Sequence, residues 1–207
     1  MAPAPGDAPD ADSTGVTPET GPEVDHLRET LSERRQIYAG RLLTVFEDEV
    51  ELPDGRPARR EIVQHPGAVA IVALAGAERV VLVRQWRHAV GGAIWEIPAG
   101  TRDKDEPTRV TASRELAEET GFRAGRWTPL GEACVSPGYS RELLTFFLAE
   151  QLTAGVTALD HDERVDVMLA GPAEIIDLVR RGDVDCKTLA GLALAGRLPQ
   201  LTTAEPA

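Results

Sequence analysis

An α+β fold is the class the sequence predicts, and three observations predict it. Short Val-rich runs bounded by turn residues recur from residue 38 to residue 100. One sharply punctuated helix interrupts them after residue 106. Two further helices close the chain after a last strand-like run. With 207 residues, 42% hydrophobic and 27% charged, the chain can bury a substantial core as one domain with extensions or as two small ones.

Residues 1–27 form an acidic tail. Within residues 1–25, Asp7, Asp10, Asp12, Glu19, Glu23 and Asp25 stand with no Lys or Arg, among five prolines and, after Met1, with only Val16 and Val24 as larger apolar side chains. Such a segment cannot offset its ordering entropy by burial, so disorder is expected. Residues 28–66 read as a small antiparallel β subdomain. Tyr38 to Leu52 carries Val45, Val50 and Leu52 among polar neighbours and closes at Pro53-Asp54-Gly55, and Arg59 to Gln64 follows as the hairpin partner.

A second domain is expected over residues 67–198. Ala68–Leu74 and Arg79–Gln85 are Val-rich runs suited to buried strands joined by a tight turn at Gly76. After Gly91-Gly92 comes Ile94-Trp95-Glu96-Ile97-Pro98-Ala99-Gly100, then a polar loop to Asp105. Glu106-Pro107 starts a helix, with proline at its first position, and Thr120-Gly121 stops it. Strands are expected at Trp127–Cys134, Leu143–Leu148 and Val165–Leu169, and helices at Pro172–Arg181 and Lys187–Leu198. Residues 199–207 remain as a tail.

Composition excludes several functions. The net charge is −12, half of it in the tail, which argues against nucleic acid and anionic membranes as partners. No run approaches the roughly 18 apolar residues of a membrane span, and the N-terminus lacks a signal-peptide layout. Cys134 and Cys186 stand alone, without zinc-ligand spacing, which points to a reducing compartment and a cytoplasmic location.

Chemistry gathers on Arg114-Glu115-Leu116-Ala117-Glu118-Glu119. On a helical wheel Glu115, Glu118 and Glu119 fall within an arc of about 100°, with Val110, Ser113 and Ala117 opposite. Carboxylates at i, i+3 and i+4 repel one another by a few tenths of a kcal/mol per pair, and the helix C-terminus disfavours them further. Two readings follow. Either the face is fully solvated, or a hard divalent cation such as Mg²⁺ sits on it.

The wider spacing decides between them. Gly100, five residues, Glu106, seven residues, Arg114-Glu115-Leu116, one residue, Glu118-Glu119, one residue and Gly121-Phe122 reproduce the complete box of the Nudix hydrolases. A chance match is on the order of 10⁻⁷ at average residue usage. The chain therefore resembles that superfamily over roughly residues 30 to 198. The resemblance implies an α/β/α sandwich with a mixed sheet. It also implies Mg²⁺- or Mn²⁺-dependent hydrolysis of a nucleoside diphosphate linked to another group. Glu115 and Glu119 match the core metal ligands, Glu118 a further ligand, and the Ala99 carbonyl often joins them. Arg114 matches the residue that orients the glutamates, and an i, i+4 pairing with Glu118 is open to it. Bound cations would neutralise the diphosphate and activate water.

Features outside the box resemble the ADP-ribose pyrophosphatases. These are Glu96 to Gly100, Pro137 sixteen residues beyond Gly121, Arg59-Arg60-Glu61 and Arg84-Gln85-Trp86-Arg87. That group is homodimeric, with exchanged N-terminal sheets, and cleaves ADP-ribose to AMP and ribose 5-phosphate. Its base is usually a Glu before the Val165–Leu169 strand. Glu163 best fits that pattern, with Asp162 and His161 as substitutes. Arg60 and Arg87 are the candidates for diphosphate and ribose, since guanidinium forks suit phosphate oxygens; sheet-edge ion pairs are the alternative. Glu96 and Pro137 complete the expected substrate set. Phe46, Trp86 and Arg41 are each available as an adenine platform. A pyrophosphatase for GDP-mannose or a non-catalytic ADP-ribose sensor would share these features. A DNA-binding regulator would need a basic domain for which Asp183 to Ala207 is too short.

Overall fold

The computed structural model describes residues 23–103, 105–156 and 164–200. The described residues divide into two compact units, 23–67 with 134–143, and 68–133 with 144–200. Residues 1–22 of the expected disordered tail lie outside the described residues, and Asp25–Leu27 at its end forms a single 3-10 turn.

The first unit is built on an antiparallel sheet in the order β1-β2-β3, from β1 (Thr30–Ala39), β2 (Thr44–Glu51) and β3 (Pro57–Gln64). β2 alternates strictly, burying Phe46, Asp48 and Val50. Buried Asp48 is neutralised by Arg34 of β1, which donates Nε and Nη2 at 2.8 and 2.6 Å. The same guanidinium lies 4.9 Å from the centroid of Phe46. The inner face of this small sheet is thus an ion pair stacked on an aromatic ring. Cys134–Leu143 joins the unit through Val63, whose N–H donates to Tyr139 O at 2.7 Å and whose carbonyl accepts from Arg141 N at 3.0 Å.

The second unit holds a seven-stranded mixed sheet. Its strands are β4 (Ala68–Ala75), β5 (Arg79–Arg87), β6 (Gly92–Glu96), β7 (Ala99–Thr101), β8 (Phe122–Cys134), β9 (Leu143–Ala154) and β10 (Val165–Ala170). The order is β10-β5-β4-β9-β8, with β6 on β5 and β7 on β4. β4 runs parallel to β9 and antiparallel to β5 and β7. Helices α1 (Thr108–Thr120), α2 (Pro172–Arg181) and α3 (Cys186–Leu194) complete it.

β4 organises the layers. Its period of two sends Ala68, Ala70, Val72 and Leu74 against Ile175 and Leu178 of α2 and Leu192 of α3. Val69, Ile71 and Ala73 face the other way, onto Ala112 and Leu116 of α1. A strand buried on both faces reads as an unbroken apolar run, which is how Ala68–Leu74 appears in the sequence. The α/β/α sandwich and mixed sheet match the expected architecture.

The helix ends follow their residues. α2 begins with proline and with Glu174 accepting the Gly171 N–H at 3.1 Å, and ends at Gly182 with φ 68°. In α3, Asp185 caps by accepting the Thr188 N–H at 2.9 Å. That helix stops at Leu194 rather than Leu198. Gly196 turns left-handed at φ 63°, and the N–H groups of Arg197 and Leu198 fold back onto Leu192 O. Among the described residues no helix is long and apolar enough to cross a membrane.

Candidate active site

The site grows from the join between β7 and α1. β7 pairs with the start of β4, Ala99 opposite Ala70 and Gly100 opposite Val69. α1 closes at Gly121, in the left-handed region at φ 73°, with its N–H on Ala117 O at 3.0 Å. Because α1 packs Ala112 and Leu116 on the sheet, the glutamates beside them on the wheel turn toward β7.

The acidic face of α1 is not fully solvated. Glu119 is only 4% exposed and accepts the Ala99 N–H at 3.1 Å. The Glu115 carboxylate lies against Gly100, where a Cβ would overlap it. Val110, Ser113 and Ala117 form the more open side, with Val110 51% exposed. Two of the three carboxylates are thus drawn to the two-residue segment Ala99–Gly100.

Arg114 links the rest. Its Nη1 donates to Glu115 Oε1 at 2.9 Å and to Glu118 Oε2 at 3.0 Å, and its Nη2 to Glu106 Oε2 at 3.3 Å. Glu106 also accepts from buried Thr111 Oγ1 at 2.7 Å. Burial alone would lower the Arg114 pKa, but Glu106, Glu115 and Glu118 outweigh it and push it further up. Thr111 and then Arg114 hold the Glu106 carboxyl below its ordinary range. One guanidinium thereby offsets the repulsion among Glu106, Glu115 and Glu118, three of the four acids of the box.

A second polar group sits on β5 and β6. Glu96, 2% exposed, accepts Arg87 Nε at 2.7 Å and Nη2 at 2.6 Å. Lys187 Nζ reaches the same carboxylate at 2.5 Å and Asp185 Oδ2 at 2.6 Å. Burial pushes the Glu96 carboxyl up, yet Arg87 and Lys187 outweigh it and hold it below the ordinary value. Lys187 and Asp185 were not singled out in the sequence. Only their spacing at the start of α3 was visible there, and the tie to Glu96 spans 91 residues.

The predicted binding residues divide between the units. Arg60 and Pro137 belong to the first. Arg60 is engaged by Glu29, its Nε donating at 3.0 Å and its Nη2 pairing with the other oxygen, and Nη1 donates to Arg59 O at 2.8 Å. Pro137 lies in the turn where the Tyr139 and Ser140 N–H groups donate to Ser136 O. Phe46 is buried under Arg34, so it offers no platform for a base. Arg41 is exposed in the first unit, and Trp86 is 63% exposed in the second. Glu163, Asp162 and His161 lie outside the described residues.

The side chains gathered at Ala99–Gly100 are carboxylates, the chemistry that suits a hard divalent cation and no soft one. The open side of Gly100 gives the Glu115 carboxylate room beside the backbone, so the residues fit the cation. As they stand, no three acidic, histidine or cysteine side chains among the described residues converge closely enough to hold an ion.

Fold and site together define an α/β/α sandwich carrying a loop-helix whose glutamates gather on Arg114 and on Ala99–Gly100. Residues 64–185 match the NUDIX domain and residues 29–63 the nucleoside diphosphate sugar hydrolase N-terminal domain. The chain belongs to the Nudix family. It is 39% identical over 165 residues to the ADP-ribose pyrophosphatase of Bacillus subtilis (strain 168), covering 78% of this chain and 89% of that protein. It is 36% identical over 178 residues to the ADP-ribose pyrophosphatase of Mycobacterium tuberculosis, covering 84% of each. A crystal structure of an ADP compounds hydrolase shares the fold with a TM-score of 0.72 at 23% identity, over 82% of this chain and 92% of that one.

Proposed function

We propose that this chain hydrolyses the diphosphate of ADP-ribose to AMP and ribose 5-phosphate in the presence of Mg²⁺ or Mn²⁺. The observation that carries the reading is the convergence of Glu115 and Glu119 on Ala99–Gly100. Glu115, Glu118, Glu119 and the Ala99 carbonyl would hold the cation, which supplies charge neutralisation of the diphosphate when bound. Arg114 keeps the glutamates aligned. Arg87, held bidentate on one edge by Glu96, offers its remaining N–H groups to phosphate oxygens. Arg60 and Pro137 are further candidate substrate contacts. The base that takes the proton of the attacking water comes from the acidic stretch before β10, with Glu163 first, then Asp162 or His161.

The domain arrangement follows the same reading, with residues 28–66 serving dimerisation and substrate and residues 67–198 the chemistry. β1 supports a homodimer. It runs for ten residues with none buried, and leaves Leu31, Ile37 and Tyr38 48–59% exposed. A strand so uncovered gains by pairing with a second copy. We place the enzyme in the cytoplasm.

Turnover of ADP-ribose, GDP-mannose, NADH and UDP-glucose with Mg²⁺, for wild type and E115Q, tests the proposal. ADP-ribose should give the highest kcat/KM, with E115Q down by about 100-fold or more. Faster cleavage of GDP-mannose would move the substrate to another sugar nucleotide. Binding of ADP-ribose without turnover of anything would make the chain a sensor.

A further inference from the structure

We propose that Lys187 is a positioning residue for substrate: it compensates the buried charge of Glu96, so that Arg87 stays aligned and keeps its positive charge available to a diphosphate. This rests on the reading of Arg87 as a substrate contact. The side chains form one line of alternating sign, Arg87, Glu96, Lys187 and Asp185, linked by contacts of 2.5–2.7 Å. One end of the line is fixed. Asp185 spends its other oxygen on the Thr188 N–H, and the buried Thr188 Oγ1 accepts the Ile97 N–H at 2.9 Å. The other end is open, with the Arg87 side chain 41% exposed against 13% for Lys187 and 2% for Glu96.

Lys187 is thus enclosed by two carboxylates and is no substrate contact itself. Its effect passes through Glu96. The same oxygen, Oε2, takes both Arg87 Nη2 and Lys187 Nζ. With Lys187 in place the four charges cancel, and a diphosphate meets Arg87 without opposition from the carboxylates behind it. Without Lys187 the group carries a net negative charge in a poorly screened environment, and Arg87 is held by an uncompensated Glu96. Both changes weaken binding of an anion. Arg87 also feels the charge of Glu119, but neither change removes a carboxylate of α1, so substrate affinity should move far more than the chemical step.

The test is steady-state kinetics on ADP-ribose for the full chain, comparing wild type, K187M, K187R, R87A and the K187M/R87A double variant, with thermal melting of each. K187M should raise KM by about tenfold while kcat falls by less than about threefold, and K187R should restore most of the loss. In the R87A background K187M should add little further, because the two act on one contact. Should K187M not fold, K187Q keeps a donor toward Glu96 without the charge, and the same rise in KM is expected. A lowered melting temperature with wild-type KM, or additive effects of K187M and R87A, would show a purely structural role and overturn the proposal. R87A with unchanged KM would instead sink the Arg87 contact, and the proposal with it, while leaving the Glu115-dependent hydrolysis standing.

Discussion

Gly100→Ala separates the contact of Glu115 with the Ala99–Gly100 segment from the rest of the fold. No positive φ is required at this position, so the backbone tolerates alanine and the effect is steric. The new Cβ would stand closer than 3.0 Å to all three carboxylate atoms of Glu115, and something must shift. The yielding group is the end of a flexible side chain that is 14% exposed. Forcing it off its rotamer costs about 0.5–1.5 kcal/mol. Alanine returns about 0.4–1 kcal/mol by restricting the unfolded chain. Stability should therefore change by less than about 1 kcal/mol, or under about 4 °C in Tm for a chain of this size. Function has no such offset. The carboxylate must withdraw by about 1 Å, a displacement that costs roughly 100-fold in turnover. Paired measurements of ADP-ribose turnover against Mg²⁺ concentration and of Tm by calorimetry check this. Wild-type kcat and Mg²⁺ dependence in a folded G100A protein would refute the placement of Glu115.

Three further outcomes are expected. Glu96 is held ionised in the folded state below its ordinary pKa of 4.5, so its contribution is full above that pH and fades as pH falls through the lowered native value. E96Q, which leaves Lys187 and Arg87 side by side with Asp185 as the one remaining carboxylate of the line, should cost about 3 kcal/mol at pH 7 and flatten the acid limb of a Tm–pH profile; parallel acid limbs would contradict it. Gly191→Ala should cost about 1–3 kcal/mol by denaturant titration, because its Cβ would meet Ile97 Cδ1 at 2.6 Å and Val72 Cγ2 at 3.2 Å. Ile37→Asp on β1 should shift the protein from dimer to monomer by light scattering, and an unshifted mass would remove β1 from the interface.

Legibility in the sequence followed the range of the forces involved. α2 was readable to the residue because Pro172 and Gly182 are local stop signals with fixed backbone preferences. β4 was readable because burial on both faces leaves an apolar run. Residues 30–37 of β1 were not, since Glu33, Arg34 and Arg35 face outward or into ion pairs and leave no alternation to detect. α3 was drawn too long because Leu198 continues the apolar pattern beyond the turn at Gly196. At the site, the box marked which glutamates belong together, but a helical wheel holds no neighbour. Burial of Glu119 follows from the amide of Ala99, twenty residues away. Phe46 was offered as a platform because the ion pair that roofs it, Arg34 with Asp48, joins two strands.

The bolt between α3 and the strand entering Ala99–Gly100 also bears on how the protein is made. Trp95 N–H donates to Asp183 O at 3.1 Å and Ile97 N–H to Thr188 Oγ1, so residues early in the chain are pinned by residues about ninety positions later. A ribosome adds residues in order, and the box is synthesised well before its fastener emerges. Until residue 188 clears the exit tunnel, the nascent β5–β6 edge carries Glu96 and Arg87 without the lysine between them and Asp185. Long-range closure of this kind is slow and leaves apolar strands open meanwhile. A translation arrest placed before Asp183 should therefore yield a chain with α1 in place and catalysis still to come.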